Sequence, residues 1–348
     1  MGMNNYSTVA AEPDSKRKQS SKGNLGPSHV GDRVGGNVIS VSETIGKEPS
    51  GPPHGNTLGR HAERGFFFAN RVVWKAAPHP IRQTALFRNY GQLIHRLASS
   101  RKAPFPSEFT SFMRNRPQLE MICECISKSF FPTPVRIAVI GCNVGAEVFS
   151  LKWLLSERVG IPVDIVGFDT SEEVLGVCRE GQFSYMDPVL DRLSMSDMTG
   201  LFDSSGEHVI VKESIRNGIV WKRCDLGDPN LFAEIGPQHV VIANNALIHM
   251  SDDHAKMGLH TMAGILENGG YLCVSGVNLD VKARTLQGLG FNPEVSGIRA
   301  IHHGYPPMLD EWPVNYWGLE PYDPHHWDHD FRYATLFRSS VGLDLPTG

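Results

Sequence analysis

Absent from this chain is any run of about 18 apolar residues, the length a membrane-spanning helix needs. Its first residues also lack the charged start and apolar core of a secretory signal. Neither a membrane span nor export by that route is expected, and the reading is a cytoplasmic protein. Basic excess is missing too: 33 Lys and Arg stand against 37 Asp and Glu, a formal net charge of -4. That balance lacks the cationic footprint of a nucleic-acid binder, so no nucleic-acid partner is expected. The six cysteines, at 123, 125, 142, 178, 224 and 273, are scattered rather than spaced as a disulfide framework or a zinc site. They are read as reduced thiols, with no metal. Large apolar residues are scarce from Met1 to about Arg60, where Gly, Ser, Pro, Asn and Lys dominate. Such a segment cannot offset its ordering entropy, and a disordered tail is expected over 1–62.

What remains is ample for a full core, since 41% of the 348 residues are hydrophobic. Between Pro80 and Phe131 the pattern is helical. Leu86, Tyr90, Leu93 and Leu97 recur at spacings of three and four among Arg82, Arg88, Arg96, Arg101 and Lys102, which predicts an amphipathic basic helix. A second helical run passes through Phe109, Phe112, Leu119, Ile122 and Ile126, and a helical subdomain is expected over 63–131. From Val135 apolar runs alternate with helical segments: 135–140, 147–158, 163–168 and 171–180. Strand, helix, strand, helix is the signature of a parallel doubly wound sheet, and that domain is set at 132–340. Within it 181–223 is irregular, with a strand at His208–Lys212 that is a candidate to form a hairpin with Ile219–Arg223. The sheet pattern resumes at Val240–Ala243, a helix at Asp252–Leu266 and a strand at Tyr271–Val274. An extension over 290–340, rich in His and aromatic residues, ends in a strand-like Arg332–Arg338 placed at the sheet edge.

The first strand breaks into Gly141-Cys142-Asn143-Val144-Gly145, a turn that lets backbone approach a ligand at the carboxyl end of the sheet. One unit later, about 25 residues on, the second strand ends in Asp169-Thr170, where a carboxylate can accept both hydroxyls of a ribose. Asp169 as a helix cap is the competing reading. A dinucleotide needs a glycine at the third loop position, to admit a pyrophosphate at the helix start, and here that position is Asn143. Glu147 would repel a pyrophosphate but could pair with the ammonium of an amino acid, unless it is only a first-turn helix carboxylate. The loop thus favours a cofactor ending in a methionine-like zwitterion.

The run Gly-Cys-Asn-Val-Gly-Ala-Glu-Val-Phe-Ser-Leu at 141–151 resembles the first motif of CheR-type methyltransferases, the chemotaxis-receptor glutamate methyltransferase family, which typically reads G-C-S-T-G-E-E-P-Y-S. The likeness continues through 164–169, 171–175 and 179–184. It returns at Val240 to Met250, which resembles D-L-V-L-C-R-N-V-L-I-Y-F. The resemblance covers roughly residues 85–276. It implies a class I, Rossmann-like α/β fold with a seven-stranded, mostly parallel sheet, and S-adenosyl-L-methionine as the cofactor. By the same likeness Gly141, Cys142, Asn143, Gly145, Glu147, Asp169, Thr170, Asn245 and Ala246 line the cofactor pocket, while Asp225 and Leu226 face the adenine. Thr110-Ser111-Phe112-Met113-Arg114 resembles T-x-F-F-R, whose arginine lies near the transferred methyl, and Arg114 takes that role. The chain departs from the family at Ala146, Val148, Asn244 and His249, and beyond Val277 little aligns.

A carboxylate acceptor, on a protein glutamate or a small acid, is ionised at neutral pH and needs no base. Arg114 would hold it. A hydroxyl or amine acceptor needs a base, for which His249, His302 or His303 are available. A third reading is a non-catalytic module that binds the cofactor. The run His325 to Asp330 lacks the spacing of a metal site. Its aromatic neighbours Trp312, Tyr316, Trp317, Tyr322 and Trp327 are expected to cover the site mouth or pack on the sheet. Oligomeric state is not readable from the sequence.

Overall fold

The computed structural model describes residues 57–82, 84–99, 110–226, 235–248, 250–304, 312–313 and 320–340. All of them lie in the unit Ile39–Gly348. The expected disordered tail falls outside these residues as far as position 56, and from Thr57 the chain is helical. Two long helices come first, α1 (Thr57–Ala76) and α2 (Ala85–Ser99), with a single helical turn, His79–Arg82, between them. They meet where Trp74 stacks on Phe87 with ring centroids 5.0 Å apart. A third, α3 (Arg116–Lys128), is started by Asn115, whose Oδ1 accepts from the Gln118 amide, with proline in its first turn where the missing N–H costs nothing.

The core of the molecule is the expected doubly wound sheet. Its strands are β1 (Val135–Ile140), β2 (Val163–Asp169), β6 (Ile219–Arg223), β7 (Gln238–Asn244), β8 (Leu266–Ser275), β9 (Asn292–Pro293) and β10 (Leu336–Arg338). They lie in the order β6-β2-β1-β7-β8-β10-β9. The pairs from β6 to β8 are parallel, and β10 is antiparallel to both its neighbours. Strand β1 reads as an unbroken apolar run because both of its faces are covered. Ile137 and Val139 pack with Phe112, Ile122 and Phe149 on one side. Ala138 and Ile140 pack with Val241, Leu259 and Met262 on the other.

Helices follow the strands as the pattern requires: α4 (Ala146–Lys152, continuing as wider π turns to Val159), α5 (Glu172–Glu180), α6 (Met195–Leu201), α7 (Asp252–Gly264), α8 (Leu279–Gly288), α9 (Ile298–His303) and α10 (His329–Tyr333). Strand order reverses at β1, with β2 on one side and β7 on the other, so a crevice opens at the carboxyl ends of β1 and β7.

Two expectations need correction. Strand β5 (His208–Val211) does not pair with Ile219–Arg223. It pairs antiparallel with β3 (Gln182–Ser184) and β4 (Phe202–Ser205) in a separate three-stranded sheet, while β6 adds to the edge of the main sheet beside β2. A short helix over Glu213–Arg216 intervenes, so the Asn217-Gly218 turn directs the chain into a parallel crossover. The late strand is also not an edge. Residues 332 and 333 finish α10, and β10 lies between β8 and the two-residue β9. Arg332 fixes this extension: its Nη1 donates to Glu320 Oε1 at 2.6 Å, its Nε donates to Asp328 Oδ1 at 2.9 Å, and its remaining nitrogen pairs with Asp280 of α8.

Candidate functional site

Five strand ends converge on the crevice, and each delivers its next residues to it. After β1, Gly141 adopts a left-handed φ of 67°, and a Cβ there would stand 2.9 Å from the Ala246 Cβ that follows β7. Only glycine lets these two strand exits close on one another. After β8, a Cβ on Gly276 would come within 2.2 Å of the Asn245 side-chain amide. Three non-glycine residues with positive φ cluster here, Met113 (51°), Asn143 (49°) and Asn245 (58°). Such backbone is strained, persists only where the surroundings hold it, and concentrates at functional sites.

Asp169, partly exposed at the tip of β2, is aimed by two amides. Asn143 N donates to its Oδ2 at 2.9 Å and Ser171 N to its Oδ1 at 3.1 Å. Each oxygen retains a lone pair for another donor. The helix-cap reading of Asp169 fails, because Ser171 caps α5 through its Oγ and the Val174 amide. Thr170 is exposed, and its carbonyl accepts from Arg223 Nε at 3.0 Å. Beyond β6, Asp225 is exposed and Leu226 half-buried against the core on the α7 side. Cys142 offers only its backbone: the thiol is buried, and hydrogen bonding to Cys178 together with burial pushes its pKa up. Gly145 is the left-handed residue that opens α4.

Glu147 lies in the first turn of α4, but it is not a solvated helix carboxylate. Burial pushes its pKa up, while the Arg114 charge and a hydrogen bond from Asn244 pull it down. With the Asn245 amide turned so that its oxygen meets donors, Asn245 Oδ1 accepts from Arg114 Nη1 at 2.9 Å and Nη2 at 3.0 Å. The fork of Arg114 is thereby fixed at the carboxyl end of β7. Glu147, Arg114 and Asn245 come together, while Asp169 stands beyond the glycine loop.

Several site residues escape sequence reasoning. Asn244, noted there only as a departure from the family, is a buried hub: its Nδ2 donates to Glu147 Oε1 and, at 3.0 Å, to Gln118 Oε1. Its Oδ1 accepts from Gln118 Nε2 at 3.2 Å and Ser275 Oγ at 2.7 Å. Gln118 belongs to α3, far away in sequence, and no local pattern marks it. Asn244 itself carried a signal, a polar side chain directly after the apolar run Val240–Ala243.

His249 lies outside the described residues. His302 is buried, its Nε2 is 2.8 Å from the Glu320 carbonyl oxygen, and burial lowers its pKa to about 4, which makes it a poor proton acceptor at neutral pH. His303 is exposed, with Nδ1 2.6 Å from the Arg299 carbonyl of its own helix. Of the extension's aromatics, Trp312 is buried against Trp74 and His95, beneath α1 and α2 rather than over the crevice. Tyr322 packs on His302 and Tyr333, Trp327 is exposed, and Tyr316 and Trp317 lie outside the described residues. Among the described residues no group of three or more His, Cys, Asp or Glu is placed to hold a metal, and no helix is long and apolar enough to cross a membrane.

Asp169 and Glu147 set two carboxylate acceptors at the carboxyl ends of the strands, a pair that suits the hydroxyl and ammonium donors of a zwitterionic nucleoside. The family model described as "CheR methyltransferase, SAM binding domain" matches residues 108–285. Chemotaxis protein methyltransferase 1 of Pseudomonas aeruginosa is 28% identical over 147 residues, covering 40% of this chain and 52% of that protein. Chemotaxis protein methyltransferase 1 of Vibrio cholerae is 26% identical over 147 residues, with the same coverage. The chain thus spans about half the length of the curated relatives it matches. Among solved structures, magnesium protoporphyrin IX methyltransferase from Synechocystis PCC 6803 with bound SAM is similar at 16% identity and a TM-score of 0.33, over 63% of this chain and 89% of that one.

Proposed function

This chain belongs to the CheR methyltransferase family, and from that premise we propose that it transfers a methyl group from S-adenosylmethionine to a carboxylate, forming a methyl ester on a protein glutamate or a small acid. One observation carries the choice of acceptor. The Arg114 guanidinium is fixed by Asn245 beside Glu147 at the carboxyl end of β7, and a forked cation suits a carboxylate. The described histidine buried nearest the end of β8, His302, is held neutral and cannot serve readily as a base.

When bound, the cofactor supplies an electrophilic methyl carbon on a sulfonium. The protein's part is alignment, because an in-line displacement on an ionised acceptor needs no proton removed. Asp169, aimed by the Asn143 and Ser171 amides, holds the ribose hydroxyls. Glu147, whose charge Arg114 and Asn244 support in part against the burial that raises its pKa, pairs in its ionised form with the amino-acid ammonium. Asp225 and Leu226 border the adenine, Asp225 accepting from its amino group. Gly141, Cys142, Gly145 and Ala246 supply close-packed backbone, and Thr170 borders the ribose. Arg114 draws the acceptor carboxylate toward the methyl carbon and offsets charge repulsion from Glu147.

The division into a helical subdomain over 63–131 and a methyltransferase domain over 132–340 belongs to the same reading. So does a cytoplasmic setting, supported by the buried free thiols Cys142 and Cys178 beneath the glycine loop. Incubation with methyl-labelled cofactor and candidate acceptors tests the function. Label released as methanol by mild base is expected. A base-stable product would exclude the ester and favour a hydroxyl or amine acceptor, and cofactor binding with no transfer to any acceptor would leave a binding module.

A further inference from the structure

Ser150 falls on the last residue of the family motif G-C-S-T-G-E-E-P-Y-S that begins at Gly141, yet it is fully buried in α4, out of reach of any ligand. It lies three residues after Glu147, on the same face of the helix. Its hydroxyl has one possible direction. Oγ donates to the Ala146 carbonyl at 2.7 Å, one turn back, and a carbonyl can only accept. With that proton committed, the oxygen lone pairs are left for a donor. The donor is the Met113 amide, at 3.1 Å, 37 residues earlier in the chain.

Met113 is where the chain turns toward the crevice. Phe112, before it, is fully buried among Phe149, Phe183 and Phe202, and its amide donates to the Val189 carbonyl at 3.0 Å. Arg114, after it, lies with its guanidinium on Asn245 and near Glu147. The change of direction is made by the left-handed backbone of Met113, φ 51°, which a bulky residue holds only where its surroundings impose it. Beyond the turn, Asn115 starts α3 with its Oδ1, while its Nδ2 donates to the Ile301 carbonyl of α9 at 2.9 Å. Arg192 Nη1 donates to the Arg114 carbonyl at 3.1 Å. Between these ties the Met113 amide meets Ser150 in a buried site, where losing the partner would leave the amide unpaired.

We propose that Ser150 is a positioning residue that aims Arg114, holding the Met113 turn so that the guanidinium stands on Asn245; its bearing on methyl transfer rests on the carboxylate reading of Arg114. One helix then serves both substrates. Glu147 takes the cofactor ammonium, and Ser150, nearly a turn further on, sets the arginine of the acceptor. Without the hydroxyl, the unpaired amide is relieved by relaxing the turn toward the right-handed region, which swings Arg114 off Asn245.

The test reads Arg114 directly. In nitrogen NMR spectra of the full chain labelled in arginine, the guanidinium signals missing from Arg114→Ala should be separate in wild type, because the fork is held. They should merge in Ser150→Ala, where it rotates freely. Ser150→Cys, whose thiol fills the site but accepts poorly, should behave alike, with far-ultraviolet circular dichroism unchanged in both. Calorimetry with S-adenosylmethionine gives a second reading. As pH falls, affinity should begin to decline at a higher pH in Ser150→Ala than in wild type, because Glu147 loses the support of the Arg114 charge. Adding Ser150→Ala to Arg114→Ala should shift that profile no further. Base-labile label transferred to the protein of a cell extract should fall about tenfold in each Ser150 variant. Unchanged guanidinium signals, an unmoved pH profile, or equal shifts with and without Arg114 would overturn the proposal. Failure of the carboxylate reading looks different: label transfer by Arg114→Ala would equal that of wild type, while the guanidinium signals still responded to Ser150.

Discussion

Gln118 and Asn244 exchange two amide hydrogen bonds, at 3.2 and 3.0 Å, across 126 residues of chain. The ring they form ties helix α3 to the end of β7, and the same Asn244 amide reaches Glu147. Neither residue needs to touch a ligand to matter. They position the Glu147 carboxylate, the proposed partner of the cofactor ammonium.

Replacing Asn244 with Ala would strand Gln118 and Ser275 with buried polar groups, and Glu147 would lose its donor. A loss of about 2–4 kcal/mol in folding stability is expected, read as a lowered midpoint in thermal or urea unfolding. Wild-type stability in the variant would show that the network is dispensable.

Glu147 gives a pH dependence whose sign follows from burial. Its carboxyl titrates above the ordinary range because burial penalises the charge, with Arg114 and Asn244 opposing that shift. The folded protein therefore holds this proton more tightly than the unfolded chain, so the group lowers stability above its folded pKa and ceases to do so as pH falls through it. Pairing with an ammonium needs the ionised form. Calorimetric affinity for S-adenosylmethionine should be full above that pKa and decline as pH falls through it, with the decline starting at higher pH in Arg114→Ala. An unshifted profile in that variant would uncouple the two side chains.

Arg114 is expected to act on turnover more than on cofactor binding. Arg114→Ala should cut kcat by about 100-fold, the scale of one charge-stabilising group, and leave cofactor affinity at neutral pH within a few-fold. Arg114→Lys should restore little, because a point charge cannot reproduce the fork held by Asn245. Equal loss of binding and turnover would remove Arg114 from the acceptor side.

Asp169→Ala removes the carboxylate that the Asn143 and Ser171 amides hold and that is proposed to bind the ribose. A loss of about 2–3 kcal/mol in S-adenosylmethionine binding, roughly 30- to 150-fold in Kd, is expected by calorimetry. Unchanged affinity would place the cofactor elsewhere.

At Gly141 the conflict is steric. A Cβ 2.9 Å from Ala246 Cβ, on a backbone at φ 67°, should cost about 1–3 kcal/mol in Gly141→Ala and weaken cofactor binding as well. Ala246→Gly in the same chain should recover part of both losses, since it removes the atom being struck. No recovery would mean that the backbone conformation alone carries the cost.

By itself the sequence determined the parallel half of the sheet and the segments at its carboxyl end. Strands buried on both faces write themselves as apolar runs, and Gly141, Asn143, Glu147 and Asp169 follow closely on the strand ends, so their place at that end of the sheet was legible from local spacing alone. Tertiary structure decided what spacing cannot encode. Hairpin and crossover share the same strand pattern, so only the fold sent β5 and β6 to different sheets. Gln118 and Asn244 meet because α3 packs at the end of β7, a contact with no local trace. Most plainly, the Leu86, Leu93 and Leu97 stripe fixed a helix but not its direction, since periodicity records that a face is apolar and not which way it points. Only the packing of Trp74, Phe87 and Trp312 on the opposite face turned that stripe outward.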